Sequence, residues 1–111
     1  LRALVWDEMR PDDLAKVRAH LAERLPQSRL GDVFWLELPE RLLSEEQKAH
    51  ARGCGPHRVA VVLEAEAVRL ELLVRASQSL RCACTAYADP AQRDFCLEFL
   101  DRLLEETGAR T

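Results

Sequence analysis

Hydrophobic positions recur every three to four residues in some stretches of the chain and every second residue in others, and these periods mark out its elements. In residues 11–25, PDDLAKVRAHLAERL, Leu14, Val17, Leu21 and Leu25 fall at helical spacing. Pro11 suits a first turn, Asp12 and Asp13 face the positive end of the helix dipole, and Pro26 closes the run. After the polar link QSRLGD, the stretch VFWLEL alternates Phe34, Leu36 and Leu38 with Val33, Trp35 and Glu37. That pattern predicts a strand with an aromatic on each face, stopped by Pro39. Ser44 followed by Glu45, Glu46 and Gln47 has the form of a capping box and opens a short helix that should end at Gly53.

From residue 58 to 87 the period is two, which predicts a meander of three antiparallel strands with turns near Ala65-Glu66 and Ser77-Gln78-Ser79. One register then places Val59, Val61, Leu63, Val68, Leu70, Leu72, Val74, Leu80, Cys82, Cys84 and Ala86 on one face. Arg58, Glu64, Arg69, Glu71, Arg75, Arg81 and Thr85 fall on the other. Asp89-Pro90 caps a last helix that runs through Glu106, with Phe95, Cys96, Phe99, Leu100, Leu103 and Leu104 as its apolar stripe and Gly108 at its end. The order helix, strand, short helix, three strands, helix predicts an α+β fold: an antiparallel sheet of about four strands with two long helices packed on one face. Ala3 to Trp6 adds a possible edge strand. All 111 residues fit one compact domain.

Composition adds exclusions. The chain is 48% hydrophobic and 32% charged, with no low-complexity tract, as expected of a globular protein rather than a disordered one. Its net charge of -3 supplies none of the basic field on which non-specific nucleic-acid binding depends, so nucleic acid is not an expected partner. The opening LRALVWDE has too short an apolar run for a secretory core or a membrane span, which makes cytoplasmic, membrane-free residence the expectation. Four cysteines in a chain of this size read as reduced thiols, since an adequate core needs no disulfides.

The run from 50 to 57, HARGCGPH, is the most pointed chemical feature. His50, Cys54 and His57 have the spacing H-x3-C-x2-H, and Cys82-x-Cys84 adds two further thiolate candidates for a tetrahedral zinc site. On a strand, however, residues two apart lie about 6.5–7 Å from each other, against the roughly 3.7 Å between sulfurs that a shared zinc requires. Cys82 and Cys84 are therefore expected in the core opposite Leu72 and Leu70, Cys54 is expected in a turn, and neither zinc nor any other cofactor is expected. No third group orients a base for a Cys54 nucleophile, so no catalytic set is assigned and the protein is expected to be non-enzymatic.

The outer sheet face then carries the functional expectation. Trp35, Val62, Arg69, Leu73, Arg75 and Tyr87 combine an apolar centre, aromatic anchors and an arginine-rich rim, the anatomy of a protein interface. The sequence thus predicts a small interaction or regulatory domain that binds a protein partner or a second copy of itself as a homodimer. The alternative is a metal-binding or thiol-dependent protein centred on Cys54 with His50 and His57.

Overall fold

The computed structural model describes residues 1–111. Its elements are strand β1 (Ala3–Trp6), helix α1 (Pro11–Arg24), strand β2 (Val33–Glu37), helix α2 (Glu45–Cys54), strand β3 (His57–Leu63), strands β4 (Val68–Glu71), β5 (Leu73–Ala76) and β6 (Ala86–Tyr87), and helix α3 (Pro90–Thr107). The fold is α+β with one antiparallel sheet, as the periodicity predicts, but the sheet has six strands rather than about four.

Strand β3 is the axis of the sheet. Its apolar run HRVAVVL is paired on both sides, to β2 through Val33↔Val62 and Glu37↔Arg58 and to β4 through Val61↔Leu70. Its first residues pair instead with β5, through Arg58↔Arg75. Between these last two pairs β3 has residues 59–60 while the opposing chain has 71–74, so two extra residues bulge out at Leu72. An even number preserves the alternation, and Val68, Leu70 and Val74 all remain on the buried face. The bulge frees the Leu72 backbone for other partners: its N–H donates to the Arg2 carbonyl and its C=O accepts from Ala88 N–H. Strands β1 and β6 are therefore laid end to end along the same edge, which accounts for the larger strand count.

The inner face is covered by α1 and α3, which also pack against each other. Phe34, Val59, Val61, Val68, Leu70 and Val74 from the sheet meet Val17 and Leu21 of α1 and Cys96, Leu100 and Leu103 of α3 in a cluster of 17 buried residues. Each large aliphatic or aromatic side chain removed from water there contributes about 1.5–3 kcal/mol.

One predicted element is replaced. The third strand of the meander, expected to carry Leu80, Cys82, Cys84 and Ala86 on the buried face, shrinks to the two residues of β6. The physical reason is competition for backbone hydrogen bonds just beyond β5. Ser77 N–H donates to the Pro56 carbonyl, Gln78 N–H to the Cys54 carbonyl, and Thr85 N–H back to the Cys82 carbonyl. Residues 77–85 consequently fold over the end of α2 instead of continuing beside β5, and Leu80 is left 93% exposed.

The two leucines that the sequence pattern treats alike should differ sharply in denaturant unfolding. Leu70→Ala is expected to cost about 2–5 kcal/mol as a cavity in the core. Leu80→Ser should stay within about 0.5 kcal/mol of the parent. A large loss at Leu80 would instead restore the third long strand.

Candidate metal centre

Helix α2 begins at Ser44, whose hydroxyl accepts from Gln47 N–H while the Gln47 side chain accepts from Ser44 N–H, completing the predicted capping box. Starting there, the helix carries His50 and Cys54 four residues apart and so on one face. It stops at Gly55, where a Cβ would lie 2.5 Å from the Ala51 carbonyl oxygen, so only glycine fits that approach. The Gly55 carbonyl in turn accepts from Gln78 Nε2 at 2.6 Å, which fixes the start of the 77–85 loop against the end of the helix.

The far end of the loop is held by buried amides. Gln47 Nε2 donates to the Cys84 carbonyl at 3.2 Å, and Gln47 Oε1 accepts from Gln92 Nε2 at 2.9 Å. Gln92 is itself the third residue of α3, in a second capping box with Asp89, and also donates to the Leu42 carbonyl at 2.9 Å. Both glutamines are 1% exposed, where an unsatisfied amide would be costly. These bonds fix Cys84 relative to the beginnings of both helices.

Four ligand atoms converge as a result. His50 Nδ1 and the Sγ atoms of Cys54, Cys82 and Cys84 all lie within 4.8 Å of one another. Cys82 Sγ is 3.0 Å from His50 Nδ1, 3.2 Å from Cys54 Sγ and 2.9 Å from Cys84 Sγ, and Cys54 Sγ is 3.7 Å from His50 Nδ1. Zinc–sulfur bonds near 2.3 Å at the tetrahedral angle imply sulfurs about 3.7 Å apart, so a cation fits this cluster with small outward movements. The expectation that Cys82 and Cys84 sit on a strand facing Leu72 and Leu70 is corrected. The strand spacing does not apply because the chain turns between them, and Cys84 N–H even donates to Cys82 Sγ at 3.4 Å. Cys84 is buried as expected, whereas Cys82 is half-buried.

Of the three residues singled out in HARGCGPH, His50 and Cys54 belong to the cluster and His57 does not. His57 opens β3, is 1% exposed, and places Nε2 3.3 Å from Cys84 Sγ, behind the ligand rather than among the four. Burial, helped by His50 nearby, holds its imidazole below the usual histidine range, which favours the neutral form, and with its proton on Nε2 that form would donate to a Cys84 thiolate.

The three thiols share protons unequally. The Cys84 side chain, the Cys84 backbone N–H and the Cys54 side chain all stabilise a thiolate at Cys82, lowering its pKa to about 7. Burial, and donation to Cys82, push Cys84 up to about 12. Cys54 is raised by its own hydrogen bond to Cys82 and by burial. A cation at the centre would take the place of the remaining thiol protons. Three thiolates and an imidazole suit a borderline-soft, tetrahedral ion.

The partner-binding residues expected on the outer face divide in two. Trp35, Val62 and Arg75 line one groove, together with Arg58 and Ala60. Arg69 is occupied by Glu64 and Glu71, and Leu73 lies opposite Tyr87 at the sheet edge, where Arg2 stacks 4.4 Å over the tyrosine ring. No helix is long and apolar enough to cross a membrane. In comparisons with known proteins the chain matches no family model, and neither curated protein sequences nor solved structures gave a match.

Alkylation of the reduced, metal-free protein should follow the thiolates, since the thiolate is the nucleophile. Cys82 is expected to react first, its rate climbing as pH rises through about 7 and then levelling, while Cys84, pushed up to about 12, and Cys96, raised to about 11 by burial in the core, should react last. Peptide mass mapping over time checks the order. Gln47→Leu should cost about 1–3 kcal/mol in urea unfolding by leaving buried polar groups unpaired, and should speed labelling of Cys84 by releasing its carbonyl.

Proposed function

We propose that this protein is a zinc-binding protein in which His50, Cys54, Cys82 and Cys84 form a structural, four-coordinate metal centre. The observation that carries the reading is the convergence of one imidazole nitrogen and three sulfurs, from α2 and from a loop 28 residues further on, to within 4.8 Å. Zinc is favoured over harder cations by the sulfur ligands, and three cysteines with one histidine in a closed tetrahedral arrangement are a usual ligand set for structural zinc.

The proposed metal has a structural task that apolar packing does not perform. The 77–85 loop points its one large hydrophobe, Leu80, into solvent, so it brings little burial of its own to set against the entropy of ordering. A cation that joins the loop to α2 adds that stabilisation, because binding to the folded state alone is folding free energy. The centre is a staple on this reading, and the protein acts by presenting a surface rather than by transforming a substrate.

Metal analysis of protein purified without chelator should give one zinc per chain. Replacement by Co2+ should give the intense visible bands of a tetrahedral, thiolate-ligated ion. Cys54→Ser, Cys82→Ser and Cys84→Ser should each weaken binding strongly, with Cys96→Ser as the unaffected control. Free zinc at a hundred times its dissociation constant should raise the unfolding free energy by about 2.7 kcal/mol. An octahedral Co2+ spectrum, or metal binding indifferent to Cys82 and Cys84, would overturn the assignment.

A further inference from the structure

We propose that the outer face of the sheet docks an extended acidic segment of a protein partner, seating a carboxylate on Arg58 and apolar side chains between Leu30 and Leu80. The face carries a groove of about 360 Å³, large enough for a few side chains. Its floor is Trp35, Ala60 and Val62 from β2 and β3. Its two lips are the link before β2 and the loop after β5, and each presents a leucine to water, Leu30 at 82% and Leu80 at 93% exposure. Large hydrophobes held that far out on both sides of one groove gain nothing for the isolated fold.

Charge identifies the occupant. The Arg58 guanidinium lies 4.0 Å over the Trp35 ring, its Nε is buried without a hydrogen-bond partner, and no carboxylate comes within 4.0 Å of it. Across β3 its neighbours are Glu37, which does not reach it, and Arg75, a like charge. Arg75 itself has a single 3.4 Å contact with Glu71, whose other oxygen is already taken by Arg69 at 2.8 Å. The groove is lined by three arginines, counting Arg29, against one glutamate, although the chain as a whole carries -3. A half-buried guanidinium with no carboxylate partner, held on an aromatic platform, is suited to a carboxylate, which it can hold with two parallel hydrogen bonds.

The same features disfavour other occupants. A second copy meeting this face through a twofold axis would oppose two identical linings, each with three arginines against one glutamate, so like net charge would meet like. A nucleic-acid backbone would need a longer cationic track than three arginines around an apolar floor. An acidic segment with interspersed apolar residues satisfies both the arginines and the leucine lips.

The test is selection of a random linear-peptide display library on the intact protein, followed by affinity measurement of the best peptide by calorimetry. Recovered peptides are expected to carry Asp or Glu beside apolar residues, and binding should weaken as salt is raised. Arg58→Gln should weaken it at least about tenfold. Arg75→Gln, which breaks only one contact to Glu71, guards against a folding defect at Arg58 and should also weaken binding severalfold. Arg102→Gln, on α3 away from the groove, should leave it unchanged. The proposal fails if no peptide is enriched, if the enriched peptides lack acidic residues, or if both groove variants bind as the parent does. It also fails if light scattering finds a dimer that Arg58→Gln strengthens, since that would give the face to a second copy.

Discussion

The hydrogen bond between the buried amides of Gln47 and Gln92 is the contact on which the functional half of the structure depends. Each glutamine closes a capping box on its own helix, so each is already rigid before the two meet. Their remaining polar atoms reach the carbonyls of Leu42 and Cys84, so that α2, α3 and the loop between β5 and β6 share one fixed point. Buried amides tolerate no vacancy, because an unpaired polar group in the interior costs more than a hydrogen bond gains. That asymmetry gives a loop whose one large hydrophobe, Leu80, lies in solvent a defined course.

The course of this loop links the two faces of functional interest. One part of it delivers Cys82 and Cys84 to His50 and Cys54, while Ser77 and Leu80 form one wall of the groove over Trp35 and Val62. Strand β3 makes the same connection from beneath. It begins at His57, directly behind Cys84, and continues through Arg58 and Ala60 into the floor of the groove. A change that loosens the cluster of thiols therefore acts on a wall of the groove through covalent continuity alone.

The candidate centre was half legible. His50 and Cys54 were visible in the sequence as part of H-x3-C-x2-H, but the helix was expected to end at Gly53 with Cys54 in a turn, whereas α2 runs on through Cys54 and sets both on one face. Cys82 and Cys84 were visible as C-x-C, but their alternation with Arg81, Ala83 and Thr85 imitated a strand, and on a strand two such thiols diverge. The signal in favour of a turn was the polar run Ser77-Gln78-Ser79 and, after Leu80 and Arg81, only small residues from Cys82 to Ala86, which give a strand little apolar surface to bury. His57 had the right residue type and the wrong position, since β3 takes it inward just after the chain leaves α2.

Local patterning determined the parts whose partners are close in sequence or set by a buried face. The helices followed from apolar spacing and caps at Ser44 and Asp89, the strands β2 to β5 from alternation, and their inward faces from the requirement that Phe34, Val61 and Leu70 leave water. Tertiary structure alone decided where unpaired backbone went after β5, because the competing partners, the carbonyls of Cys54 and Pro56, lie more than twenty residues away and carry no periodic signature. The same holds for the metal cluster and for Arg58. The atoms that converge on a cation, and the carboxylates that do not reach a guanidinium, are properties of three-dimensional distance, and a one-dimensional pattern records only the residues available for it.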